Sequence, residues 1–113
     1  PLEYGLTVFG GKWKSRIICV LSAKKTLRYS EIRKEMHNIT DAVLAATLKD
    51  LINDGIVNRK SYDEIPPRVE YSLSKKGESV VPILQNICKW SNIFYKEDEE
   101  NKMSHCQKCD YRN

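Results

Sequence analysis

The feature that most limits the fold is an order of segments between residues 30 and 73. Two stretches carry apolar residues at helical spacing, Ile32 and Met36 in the first and Val43, Leu44, Leu48, Leu51 and Ile52 in the second. Such recurrence marks one stripe of a helix. Only His37-Asn38 and Thr40 stand out between them. Asn53-Asp54-Gly55 ends the second stretch, and Gly55 suits a left-handed residue at a helix C-terminus. Two β-prone runs follow, Ile56–Ser61 and Val69–Leu73, separated by Tyr62-Asp63-Glu64-Ile65-Pro66-Pro67-Arg68. Adjacent prolines cannot donate ladder hydrogen bonds, and they stiffen a loop. Helix, short turn, helix and stiff hairpin make a helix-turn-helix followed by a two-stranded wing. The expected class is α+β, mainly α.

The flanks fit around that unit. Leu2, Leu6, Val8 and Phe9 predict a short helix that Gly10-Gly11 breaks. Lys12 to Ala23, with Trp13, Ile17, Ile18, Val20 and Leu21, predicts another. Leu27-Arg28-Tyr29 reads as a short extended piece. Ser30 and Thr40 are the expected N-caps of the two central helices. Ser74 caps a long last helix, in which Pro82 predicts a kink or a later start. That helix carries more apolar surface than so small a domain needs, and helix 2–9 has no evident internal home. Leu2, Leu6, Phe9, Leu84, Ile87, Trp90 and Phe94 are therefore expected to form a homodimer interface, with Leu84, Ile87 and Trp90 also serving the core in part. One domain is expected over 1–95. An acidic then polar tail, 96–113, is expected to be poorly ordered.

Length and charge narrow the class further. A chain of 113 residues is one domain. No run of about eighteen apolar residues exists, so no membrane span is expected. No basic-then-apolar leader is present, and a cytoplasmic location is expected. The chain begins at Pro1 rather than Met, so it reads as a processed, trimmed or partly covered product. The net charge of +4 is uneven. Residues 12–34 hold eight basic side chains against Glu31, whereas 35–58 hold Lys49 against four acids. A basic block of this kind attracts phosphates or forms a solvated helix face.

Several motifs occur in a fixed order: Gly10-Gly11-Lys12-Trp13, Leu27-Arg28-Tyr29-Ser30-Glu31-Ile32, Leu48-Lys49-Asp50-Leu51, Asp54-Gly55-Ile56-Val57, Pro66-Pro67-Arg68-Val69-Glu70-Tyr71-Ser72-Leu73, and Lys76-Gly77 ahead of Trp90. The set resembles the HxlR family of bacterial winged-helix transcriptional regulators, relatives of the MarR group, over roughly residues 1–95. The resemblance implies a dimer that binds double-stranded DNA and represses or activates nearby genes. Several relatives sense electrophiles or oxidants through a cysteine just before a proline near the N-terminus. Residues 1–18 of this chain contain no cysteine.

On that reading the helix after Thr40 enters the major groove. Its outward set is Asp41, Ala42, Ala45, Ala46 and Lys49, with Val43 turned inward. The alanines suit close approach to thymine methyls, and Asp41 either accepts from cytosine or favours the helix N-terminus. Ser30 and Thr40 cap helices whose amides face phosphates. Lys12, Lys14, Arg28, Arg59 and Arg68 are the backbone candidates, and Arg68 can instead pair with Asp63 or Glu64. Cys19 reads as a core thiol, and Cys88 as packed or at the dimer seam. His105, Cys106 and Cys109 offer part of a zinc site, a redox pair or two exposed thiols. No metal is assigned and no cofactor is expected. A small-molecule or redox effector fits the resemblance. Two alternatives stay open: a winged-helix protein-interaction module without a DNA role, and a thiol or zinc redox protein. No nucleophile-base pair, carboxylate dyad or phosphate loop supports an enzyme.

Overall fold

A computed structural model of the chain describes residues 1–94. In chain order the elements are α1 (Leu2–Phe9), α2 (Lys12–Lys24), β1 (Thr26–Leu27), α3 (Tyr29–Glu35), α4 (Asp41–Asn53), β2 (Val57–Tyr62), β3 (Arg68–Leu73) and α5 (Lys75–Ser91). The sheet is antiparallel in the order β1-β3-β2. It has three strands where the sequence predicts a two-stranded wing. Thr26 and Leu27 pair with Ser72 and Tyr71, so the extended piece before α3 anchors the helix pair to the wing.

The core forms around α2. Ile17, Ile18, Val20 and Leu21 are buried and meet Ile32 of α3, Leu44, Leu48 and Leu51 of α4, and Val80 and Leu84 of α5. Fully burying one such side chain contributes about 1.5–3 kcal/mol, so this cluster sets the relative placement of the helices. Gly11, at φ +84°, lets the chain reverse between α1 and α2. Asn38, at φ +62°, sits in the turn between α3 and α4, and asparagine tolerates that left-handed conformation.

α5 runs continuously through Pro82. Proline cannot donate to the Glu78 carbonyl one turn earlier, so that bond is forgone. Ser74 caps α5 as expected, its Oγ accepting from the Gly77 N–H at 3.0 Å. The helix has two apolar faces. Val80 and Leu84 point into the core, which moves Leu84 out of the predicted interface. Ile83, Ile87 and Trp90 are exposed, as are Ile93 and Phe94 beyond the helix. The Trp90 and Phe94 rings meet at a tilt of 48°, with 5.4 Å between centroids. Helix α1 does have an internal home: Val8 is buried, and Phe9 packs half-buried on the core. Leu2, Tyr4 and Leu6 remain exposed. Lys76 Nζ donates to the Tyr4 hydroxyl at 2.8 Å, bringing α1 beside the start of α5. No helix among the described residues is long and apolar enough to cross a membrane.

Candidate nucleic-acid interface

Helices α3 and α4 are fixed to one another before either can meet a ligand. Thr40 is the N-cap of α4, and its Oγ1 accepts from the Val43 N–H at 3.2 Å. At α3 the sequence expectation fails. The N-cap is Arg28, and Ser30 lies inside the helix. The Arg28 backbone N–H donates to Glu31 Oε1 at 2.8 Å, the reciprocal half of a capping box. Across the turn, Arg33 pairs with Asp41. The Tyr29 hydroxyl donates to the Asp41 carbonyl at 3.2 Å. Burial pushes the Tyr29 phenol above its ordinary pKa, and the Asp41 carboxylate adds to the rise. Asp41 is thus engaged within the protein, by an arginine that the sequence reading did not single out.

The face of α4 away from the core is exposed at Ala42, Ala45, Ala46 and Lys49, as expected. Val43 is exposed too, at 38%, and Thr47 takes the inward place. Thr47 is buried because its Oγ1 donates to the Val43 carbonyl at 2.6 Å, which satisfies the hydroxyl within the helix. The positions 44, 47, 48 and 51 form the i, i+3, i+4, i+7 stripe, a spacing that could have identified Thr47 despite its polarity.

The wing stands beside α4. Arg59, on β2, donates from Nη1 to Ser61 Oγ at 3.2 Å. Arg59, Lys49 and Ala45 border one common cavity, so the structure brings these three predicted residues together. Arg68 is more constrained. Its Nε lies 3.1 Å from Glu64 and its Nη1 3.8 Å from Glu70. Its guanidinium stacks 3.8 Å from the Tyr62 ring centroid, and Lys60 approaches the same ring at 4.9 Å. Of the two carboxylates offered as alternatives, Glu64 is the one that pairs with Arg68, and Glu70 is a second acidic neighbour. Lys12 and Lys14 belong to the α1–α2 joint: Lys14 Nζ donates to the Thr7 carbonyl at 2.8 Å, and Lys12 sits 4.5 Å over the Trp13 ring. Cys19 is half-buried against the core and Cys88 is exposed on α5. The described residues hold no cluster suited to a metal. His105, Cys106 and Cys109 lie outside them.

A capped helix after a tight turn, with its outer face open and a hairpin at its side, defines a winged helix-turn-helix protein. The profile of the HxlR-like helix-turn-helix family matches residues 8–99, and the chain belongs to that family. An HTH-type transcriptional regulator of Methanothermobacter thermautotrophicus is 43% identical over 100 residues, 88% of this chain and 76% of the relative. YdzF, an HTH-type transcriptional regulator of Bacillus subtilis, is 46% identical over 90 residues, 80% of this chain and 83% of its own. Among solved structures, the redox regulator HypR in its oxidized form superposes with a TM-score of 0.78 at 35% identity, covering 86% of this chain and 99% of HypR. The chain is accordingly a DNA-binding transcriptional regulator of the helix-turn-helix type.

Proposed function

We infer that the protein binds a palindromic operator as a homodimer and raises or lowers transcription of nearby genes in response to an electrophile, oxidant or small molecule. The observation that carries this reading is the outer face of α4. It offers Ala42, Ala45 and Ala46 without bulk, and Lys49 on the same face stands near Arg59 of the wing. Small side chains let a helix sit deep in the major groove, while flanking cations hold phosphates. The second half of the reading rests on Leu2, Leu6, Ile87, Trp90 and Phe94, whose exposed apolar surface a second copy would cover. Two-fold symmetry then matches half-sites one helical turn apart, on the order of 34 Å. The likeness to a redox regulator supports a signal-responsive role.

Sedimentation and duplex titration test both halves. A dimer of about twice 13.1 kDa at micromolar concentration is expected, with tight binding to a selected symmetric duplex. A monomer would remove the palindrome. Binding that ignores sequence would remove the operator.

A further inference from the structure

The start of α5 closes on the end of α4 through three successive carbonyls. Lys76 Nζ donates to the Asp54 carbonyl at 2.8 Å. The Ser74 hydroxyl is shared between the Gly55 and Ile56 carbonyls. α4 has no basic residue in its last turn, and its C-cap is Asp54. Asp50 and Asp54 add charge of the same sign as the C-terminal end of the helix dipole. Lys76 therefore supplies, from another element, the cation that this helix end lacks. Its stem passes over Gly55, where a Cβ would come 3.9 Å from Lys76 Cδ. The same amine donates to the Tyr4 hydroxyl of α1 at 2.8 Å and lies 5.4 Å from the centre of that ring. Among the described residues no ion pair competes for it.

The 13 residues of α4 span about 20 Å. Ala42, Ala45 and Ala46 occupy its first two turns, Leu44, Leu48 and Leu51 bury its inner stripe, and Lys76 holds its far end. A rigid helix that pivots on its buried stripe moves at both ends, so slack at Asp54 becomes displacement at Ala42. Recognition groups have to be held within about 0.5 Å of their working geometry. We propose that Lys76 is a positioning residue for DNA reading: it fixes the C-terminal end of α4, and the Tyr4 hydroxyl fixes Lys76. Neither side chain is assigned a contact with DNA. The role in reading rests on the operator proposal above, whereas the tie from Tyr4 through Lys76 to Asp54 does not.

The test titrates the full chain with two duplexes of equal length, the selected symmetric sequence and a scrambled one, by anisotropy at several salt concentrations. Lys76→Met should lower affinity for the symmetric duplex about fivefold, and Tyr4→Phe about threefold. Affinity for the scrambled duplex should match the wild type, as should the slope of log affinity against log salt, because no phosphate contact is lost. The double variant should bind no more weakly than Lys76→Met, since both substitutions break one tie. A slope reduced by about one would make Lys76 a phosphate contact and overturn the positioning role. Equal losses on both duplexes, or losses that multiply in the double variant, would overturn it too. Without DNA, Tyr4→Phe should shift the Asp54 and Gly55 amide resonances, and unmoved amides would refute the tie. If Lys76→Met does not fold, Tyr4→Phe decides alone, through those amides and its discrimination between the duplexes. If selection yields no preferred duplex, the operator reading fails, and the amide shifts still decide the tie.

Discussion

Gly77→Ala is the substitution whose cost the structure most sharply defines. Gly77 lies in the first turn of α5 and is buried. A Cβ built there would sit 2.2 Å from the Ile56 carbonyl oxygen and 3.2 Å from Leu73 Cδ2, where ordinary contact begins at 3.4 Å. The start of α5 and the Ile56 carbonyl, just ahead of β2, would have to part by more than 1 Å. The same carbonyl accepts the Ser74 N–H at 2.9 Å and the Ser74 hydroxyl at 3.0 Å. Moving it therefore loosens the cap of α5 as well. Alanine should gain about 1 kcal/mol in helix propensity over glycine. Against that stand about 1–3 kcal/mol of overpacking and about 0.5–1.5 kcal/mol for each weakened hydrogen bond. The net expectation is a loss of about 2 kcal/mol, read as a fall in Tm of about 10 °C for a domain of this size. Thermal melts of both proteins at one protomer concentration measure it. A variant melting within about 2 °C of the wild type would refute the reasoning.

Thr40→Ala removes the α4 cap and should cost about 1 kcal/mol in denaturant unfolding. Lys49→Ala and Arg59→Ala should each weaken binding to every duplex and reduce the slope of log affinity against log salt by about one, measured by anisotropy at several salt concentrations. Ala46→Glu should abolish sequence-specific binding with an unchanged melting curve, because a carboxylate would face base edges and phosphates. Tyr29 gives the pH prediction. Its folded pKa is raised above the ordinary tyrosine value, so the neutral phenol is favoured by folding. That stabilisation is complete below the unfolded pKa near 10 and is lost as pH rises through the folded value. Tyr29→Phe should flatten the alkaline fall in stability, and a phenolate absorbance titration reads the shift directly.

Much of the fold was legible because apolar spacing and punctuation agreed. Gly10-Gly11, Thr40, Gly55, Pro66-Pro67 and Ser74 each stand where an element begins, ends or turns. What escaped the sequence has physical causes. β1 is two residues long, too short for alternation to register, and only its pairing with β3 makes it a strand. Ser30 outranked Arg28 as a cap because cap preferences score side chains, whereas here a backbone N–H reaches Glu31. Thr47 was hidden by its hydroxyl, and Val43 was drawn inward by its hydrophobicity, although α4 turns by 100° per residue and places it beyond the stripe. Val80 and Leu84 separate from Ile83 and Ile87 only once the core has chosen one face of α5. At the site, Ala45 and Lys49 were readable as outward positions. Their meeting with Arg59, and the tie from Arg33 to Asp41, depend on contacts across turns that no local pattern encodes.

Reading of DNA by α4 from a two-fold dimer is what joins the helix-turn-helix to the apolar faces of α1 and α5. Its most direct test is sequencing of random duplexes retained by the purified protein, with Ala46→Glu carried through in parallel. One enriched, two-fold symmetric sequence with half-site centres about one helical turn apart is expected, with loss of that enrichment in the variant. Enrichment without symmetry, or the same sequence retained by Ala46→Glu, would contradict it.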